Sequence, residues 1–435
     1  MVKKSLAAMA VVGALAVPTV AQAAQAAPAA PSSAAVADVR LAWAGAGKVR
    51  ISWTEPAGRE NSIFLKTAGQ TERIGVTSAT APNELIVPIS ALKPSHDPAS
   101  TARIYVEDPS TAGASSAAFD RYVRGETALA PMMTAGALQW QFAPDTATDT
   151  TPNDPLDVSD PGRIQPRLLR SDAGRCESVS LPATTGLSGT VPRQPGAYTA
   201  DLVLANEWGE SKLASVRVRT SSTTFSTPAA GVYGGRLTMS GAISLQELAH
   251  TGPGECTLPP GMNGLGGREM VLHGRNSATS PWYVIGVAKT DAQGKYTFVI
   301  ANTGAREYRA VLKESAGAGL ANYQSISTPK VTRAIPQVIE ARFVEPEIAL
   351  GQQPNATVVV APYGSHQVAL QFKNASGQWQ GLMYRTLVGG GAESGPFAFN
   401  RVGTHQFRWW VAASTGSTGL PVDAGYTYPF TLTVR

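Results

Sequence analysis

Charge, cysteine and histidine are all scarce in this sequence. Only 15% of its 435 residues are Asp, Glu, Lys or Arg, and only two are cysteine. The five histidines, His96, His250, His273, His366 and His405, form no HExxH motif and no close pair, so no local zinc signature exists. No Lys/Arg cluster is interleaved with aromatics, which removes the electrostatic footprint of a nucleic-acid binder. There is no P-loop and no dinucleotide fingerprint, and Gly186-Leu187-Ser188-Gly189 has the wrong spacing for a nucleophile elbow. No long amphipathic helical pattern occurs. These absences point to a protein with no catalytic role and no cofactor. An enzyme with a pair of carboxylates distant in sequence leaves no local motif and stays open as an alternative.

What the chain does have is glycine (43), proline (31) and a hydrophobic content of 43%, enough for packed cores joined by many turns. It opens with Lys3 and Lys4, an apolar run from Leu6 to Val20 and the small-residue signal Ala21-Gln22-Ala23. That order is a secretory signal peptide, 1–23, too short and wrongly flanked for a stable membrane span. The Ala/Pro/Ser-rich stretch 24–35 follows as a disordered leader. Losing the two lysines lowers the formal charge of +5 to +3, since the removed segment holds no acid. In an exported chain an even cysteine count suggests one disulfide, Cys176 to Cys256.

Hydrophobicity alternates with period two at Val39–Trp43, Val49–Trp53, Leu85–Ile89, Arg103–Val106, Tyr198–Leu204, Val216–Val218 and Tyr426–Val434. Turn residues recur at short intervals between them. The expected fold class is all-β, four tandem sandwiches at 36–125, 127–220, 222–330 and 331–435. On these boundaries the disulfide would rigidify the joint between two domains.

Several stretches resemble known modules. Lys48-Val49-Arg50-Ile51-Ser52-Trp53-Thr54-Glu55-Pro56 resembles strand B of a fibronectin type III domain. Gly196 to Gly209 is similar to the F strand and F–G turn of bacterial Ig-like domains, with Tyr198 at the corner position. Tyr233-Gly234-Gly235-Arg236-Leu237-Thr238-Met239-Ser240-Gly241 resembles the opening strand of Ig-like repeats in exported actinobacterial proteins. Thr290 to Phe298 looks like their hairpin. Gly389-Gly390-Gly391 in the last unit departs from that pattern. The resemblance implies extracellular spacer, adhesive or binding modules.

The last two units also match each other. Leu272 and Asn276 correspond to Leu370 and Asn374, Trp282 to Trp379, and Gly304–Arg309 to Gly403–Arg408, at offsets of about 98 residues, the size of one such sandwich. Trp53, Trp282 and Trp379 are expected in cores, and Arg309 and Arg408 on outer faces as solvated charge.

Candidate binding residues follow from strand alternation. In Gln406-Phe407-Arg408-Trp409-Trp410-Val411, a core face of Phe407, Trp409 and Val411 leaves Arg408 and Trp410 outside. An outward Trp beside Arg408 suits stacking on a sugar or anchoring a protein, unless it packs under a loop or against the preceding unit. Trp208 is either an exposed turn contact or a plug at a domain joint. Asp145, Asp149, Asp154, Asp157 and Asp160 form an acidic stretch that reads as a solvated loop, with Ca²⁺ ligation as the alternative. The sequence therefore predicts a secreted structural or adhesive rod, noncovalently associated with the cell surface. Its partner would be an extracellular protein or a cell-surface glycan, the latter making it a carbohydrate-binding accessory.

Overall fold

Most stretches of alternating hydrophobicity fold as strands in the computed structural model, because burial on one face and water on the other favour the pleat. The structure describes residues 35–435 except 57, 126, 159–161, 261–264, 318 and 417. The signal peptide, and all but the last residue of the expected leader, lie outside the described residues. Among the described residues the helical content is one 3-10 turn, Ile89–Leu92, and no helix is long and apolar enough to cross a membrane.

The chain divides into two compact units. One holds residues up to Lys93, Ser100–Arg121 and Thr150–Asp157; the other holds Pro94–Ala99, Tyr122–Asp149 and Val158–Arg435. In the first, Ala37–Trp43, Lys48–Thr54 and Glu84–Pro88 form one sheet, and Gln70–Thr77, Asn61–Thr67 and Thr101–Glu107 form most of the other. Val49, Ile51, Trp53, Ile63, Leu65, Ile104 and Val106 are buried, every second residue along their strands. Burying side chains of this size stabilises by about 1.5–3 kcal/mol each. Within this unit Trp43 Nε1 donates to the carbonyl of Leu156 at 2.9 Å, which fastens the segment Thr150–Asp157 to it.

The second unit holds three sandwich cores. In the first of them Leu138, Trp140, Phe142 and Val191 face Ile164, Leu168, Tyr198 and Leu202 across two sheets. Tyr198 opens its strand, as expected of a corner tyrosine. Its hydroxyl pairs with that of Tyr323 at 2.8 Å rather than with nearby backbone. Burial raises the pKa of Tyr198 strongly, and the Tyr323 hydrogen bond adds to that.

The next core shares a sheet with this one. Strand Gly209–Thr223 pairs with Tyr198–Asn206 along most of its length and with Arg236–Gln246 at its end. The sheet thus runs unbroken from one sandwich into the next. Cys176 and Cys256 are joined, with sulfurs 2.03 Å apart. Cys176 sits on the strand Arg175–Ser180, and Cys256 on the short strand Glu255–Thr257, neighbours in this same sheet.

Two expectations need correction here. Thr290 to Phe298 is not a hairpin. Asp291 makes the turn, its Oδ1 accepting from the backbone N–H of Gln293 and Lys295, and Gly294 adopts φ +78°. But the flanking strands part: Tyr283–Lys289 pairs with Glu269–Arg275, whereas Lys295–Ala301 crosses to Arg236–Gln246 in the opposite sheet. The turn chemistry bends the chain equally well whether the strands pair or separate. The final strand is likewise not continuous from Tyr426; it splits into Gly425–Tyr426 and Phe430–Val434, because Pro429 has no N–H to give to the ladder.

The last two sandwiches repeat one design, a six-stranded sheet with five strands in its main path. The first sheet runs Ala230–Val232, Lys330–Ile335, Arg306–Leu312, Glu269–Arg275, Tyr283–Lys289. The second runs Glu347–Ile348, Phe430–Val434, Gly403–Val411, His366–Lys373, Trp379–Leu387. Both start with a parallel pair and are antiparallel thereafter. Both slip register at the same place, between Leu272 and His273 and between Leu370 and Gln371. The two sandwiches meet at backbone level, Ala305 N–H donating to Pro421 O at 2.7 Å and Asp423 N–H to Ala334 O at 2.8 Å.

Candidate binding face on the repeated sheets

Strand alternation puts one side of each repeated sheet into a core and leaves the other outside. On Gly403–Val411, Phe407, Trp409 and Val411 are buried, Arg408 and Trp410 are half-buried, and Gln406 is exposed. Arg408 lies opposite Gln371, and its Nε donates to Gln371 Oε1 at 2.9 Å. Its guanidinium carbon is 4.3 Å from the centre of the Trp379 ring and 3.8 Å from that of Tyr426. One cation therefore serves two rings.

Beside it runs a row of aromatics. Trp410 pairs with Tyr426 on one side and Ala369 on the other, and Ala369 pairs with Tyr384. Tyr426 is 54% exposed and Tyr384 69%. Next to Trp379, Lys373 and Arg401 line an open cleft of about 350 Å³ together with Asn374, His405 and Gln406. No acidic side chain lines it among the described residues.

The preceding sandwich carries the same pair in the same register. Arg309 lies opposite His273, as Arg408 lies opposite Gln371. Its guanidinium carbon is 4.2 Å from the Trp282 ring, and that of Arg275 is 4.5 Å from the same ring. Arg275 in turn bonds Glu307. Burial holds the pKa of His273 below the usual imidazole value, with Arg309 and Lys313 adding to it. The neutral ring so favoured can accept from Arg309, whose Nη2 is 3.5 Å from Nδ1.

Trp282 and Trp379 are accordingly not core residues. Both are half-buried on the outer faces, because Trp282 immediately precedes an edge strand and Trp379 starts one, where an arginine, rather than a second sheet, covers the ring. Arg309 and Arg408 are outside, as expected, but stacked on aromatics rather than simply solvated. Trp53 is in the core.

Trp208 is 2% exposed and offers no ring to a ligand, which corrects its reading as a surface contact. The reason is the tight turn between Asn206 and Gly209, pinned where Asn206 Nδ2 donates to Tyr122 O at 2.8 Å. Part of the acidic stretch is taken up by hydrogen bonds within its loop and to the backbone of Asp120. Asp154 accepts from the N–H of Asp120 and Leu156 and from the Thr151 hydroxyl, Asp157 from Asp154 N–H, and Asp145 from Ala147 N–H. Asp145 and Asp149 belong to one compact unit, Asp154 and Asp157 to the other, and Asp160 lies outside the described residues.

The sequence reading missed Tyr384, Tyr426, Gln371 and Lys373. The 98-residue offset held the signal: it places Gln371 where the preceding repeat has His273, across from the arginine. Finding Tyr384 needed the register slip, which no sequence pattern marks.

No family model matches the chain, and no curated protein matches it. Among solved structures, it is similar to a tetra-tandem repeat in the extending region of a large adhesion protein, at 13% identity over 91% of this chain and 98% of that one, with a TM-score of 0.26. It is also similar to the FN1–FN3 domains of chicken CNTN1, at 12% identity over 68% and 98%, with a TM-score of 0.21. A third is a 1.5-MDa bacterial ice-binding adhesin studied for host cell surface retention, at 10% identity over 69% and 91%, with a TM-score of 0.17. Likeness of this size carries no function across.

Proposed function

We propose that this is an extracellular, non-catalytic adhesive protein whose last sandwich grips an anionic glycan on its outer face. The observation that carries the reading is Arg408 held between Trp379 and Tyr426, beside the row of Trp410 and Tyr384. Flat rings stack on the apolar faces of sugars, while a fixed guanidinium pairs with a carboxylate or sulfate. The cleft lined by Lys373 and Arg401 extends the positive charge without an opposing acid. Export is supported by the order of basic, apolar and Ala-x-Ala segments at the start of the chain, and by the disulfide.

Retention on insoluble and immobilised polysaccharides, neutral and acidic, tests this. Wild type is expected to be held by acidic ones, and Trp410→Ala and Tyr384→Ala to be released. Failure to bind any polysaccharide would overturn the glycan reading and favour a protein partner at the same rings.

A further inference from the structure

Three metal-ligating side chains meet at the edge of the sheet shared by the two sandwiches, away from the aromatic face. The edge is built of three neighbouring strands, Arg175–Ser180, Glu255–Thr257 and Ala249–Gly252. They contribute Cys176, Cys256 and His250 in turn. His250 and Cys256 are direct cross-strand partners. His250 Nδ1 is 3.5 Å from Cys176 Sγ and 3.8 Å from Cys256 Sγ. All three ligand atoms lie within 4.8 Å of one another, with Cys256 buried, Cys176 half-buried and His250 exposed.

The geometry points to a second state of this cluster: with the disulfide opened, Cys176, Cys256 and His250 hold one Zn²⁺ ion, its fourth position facing solvent. Two thiolates and an imidazole are a frequent zinc donor set, and the ion accepts tetrahedral geometry without electronic preference. The strand ladder supplies the preorganisation, since the backbone bonds from Cys176 N–H to Gly254 O and from Cys256 N–H to Gly174 O do not depend on the disulfide. Ligation through Nδ1 requires the imidazole proton on Nε2, which on an exposed ring points to water.

The chemistry balances with a small thiol as reductant. Two external thiols reduce the bridge and leave as one external disulfide. The two protein thiols then give up two protons as Zn²⁺ binds. The metal thereby restores a link between residues 80 apart in sequence, so the joint stays cross-linked in both states.

The test uses the full chain, reduced with excess dithiol, desalted without oxygen and titrated with Co²⁺ and then Zn²⁺. Reduced wild type is expected to take up one Co²⁺ with a thiolate-to-cobalt charge-transfer band that Zn²⁺ bleaches, and the oxidised protein to take up none. His250→Ala, at an exposed position, should weaken binding at least about tenfold, as losing a direct ligand costs no less than losing its outer support. Zn²⁺ should raise the thermal midpoint of the reduced chain and leave that of the oxidised chain unchanged. Absence of the band in reduced wild type overturns the proposal, as does equal affinity in His250→Ala. Loss of strand circular dichroism on reduction that Zn²⁺ fails to restore overturns it too.

Discussion

The two repeated outer faces begin from the same plan and end differently. Each sets an arginine on a tryptophan, opposite the same strand position and beside the same register slip. On the earlier face two guanidinium groups, Arg275 and Arg309, approach Trp282, and Glu307 and His273 engage them. Its ring is covered, and one cation is paired with an acid, while Arg309 Nε is buried without a partner. On the later face one guanidinium is shared by two rings, and Trp410 and Tyr384 extend the platform. On the proposed function, the difference turns a stabilising surface device into a recognition surface: the second arginine and the acid are gone, and rings are added.

Four comparisons would break or sharpen that contrast. The largest effect is expected from Trp410→Ala combined with Tyr384→Ala, which should lower affinity for an acidic glycan about 100-fold at two stacking contacts of about 1–3 kcal/mol each. Trp282→Ala should leave the same affinity unchanged. Affinity measured by titration calorimetry separates the two faces.

A second contrast uses equivalent glycines. Gly304 (φ +134°) and Gly403 (φ +111°) both occupy backbone conformations that side chains resist. A Cβ at Gly304 would sit 2.3 Å from Leu420 Cβ in the following sandwich, whereas at Gly403 the nearest atom is His405 Nε2 at 3.9 Å. Both alanine variants carry backbone strain, so the difference in their unfolding free energies reads the joint alone. Gly304→Ala should be the worse by about 1–3 kcal/mol.

Arg309→Ala should destabilise by about 1–2 kcal/mol through the uncovered Trp282 ring, without change in glycan affinity. Arg408→Ala should do the reverse, losing affinity more than stability. Equal stability losses with no change in binding would mean that both faces are merely structural.

The smallest effect concerns pH. The folded state holds the His273 pKa below that of the unfolded chain. Below about pH 6.5 the unfolded chain therefore takes up the proton first, so stability is full above that pH and declines as pH falls through the folded value. His273→Gln, which copies the residue at the equivalent position of the later face, should flatten the dependence of the thermal midpoint on pH between pH 8 and pH 5. An unchanged acid slope would assign it to other groups.

Much of the architecture was legible in the sequence. Alternation located the strands because half-buried pleats impose a period of two, and the repeat offset located the paired arginines because equivalent strands carry equivalent positions. Partner choice was not legible. The turn at Asp291–Gly294 was read correctly as a turn, yet its strands diverge into opposite sheets. Trp282 and Trp379 were misassigned because a large aromatic on a strand reads as core unless the covering arginine is known to lie across from it.

The linear chain determined the all-β class, the outward side of Arg408 and Trp410, and the thiols available for a bridge, since each follows from local periodicity or residue chemistry. Only the tertiary structure decided that Arg408 lies between Trp379 and Tyr426, that Trp208 is buried, and that His250 meets both cysteines. Those outcomes depend on which strands pair and in what register, and hydrogen bonding between residues far apart in sequence sets both.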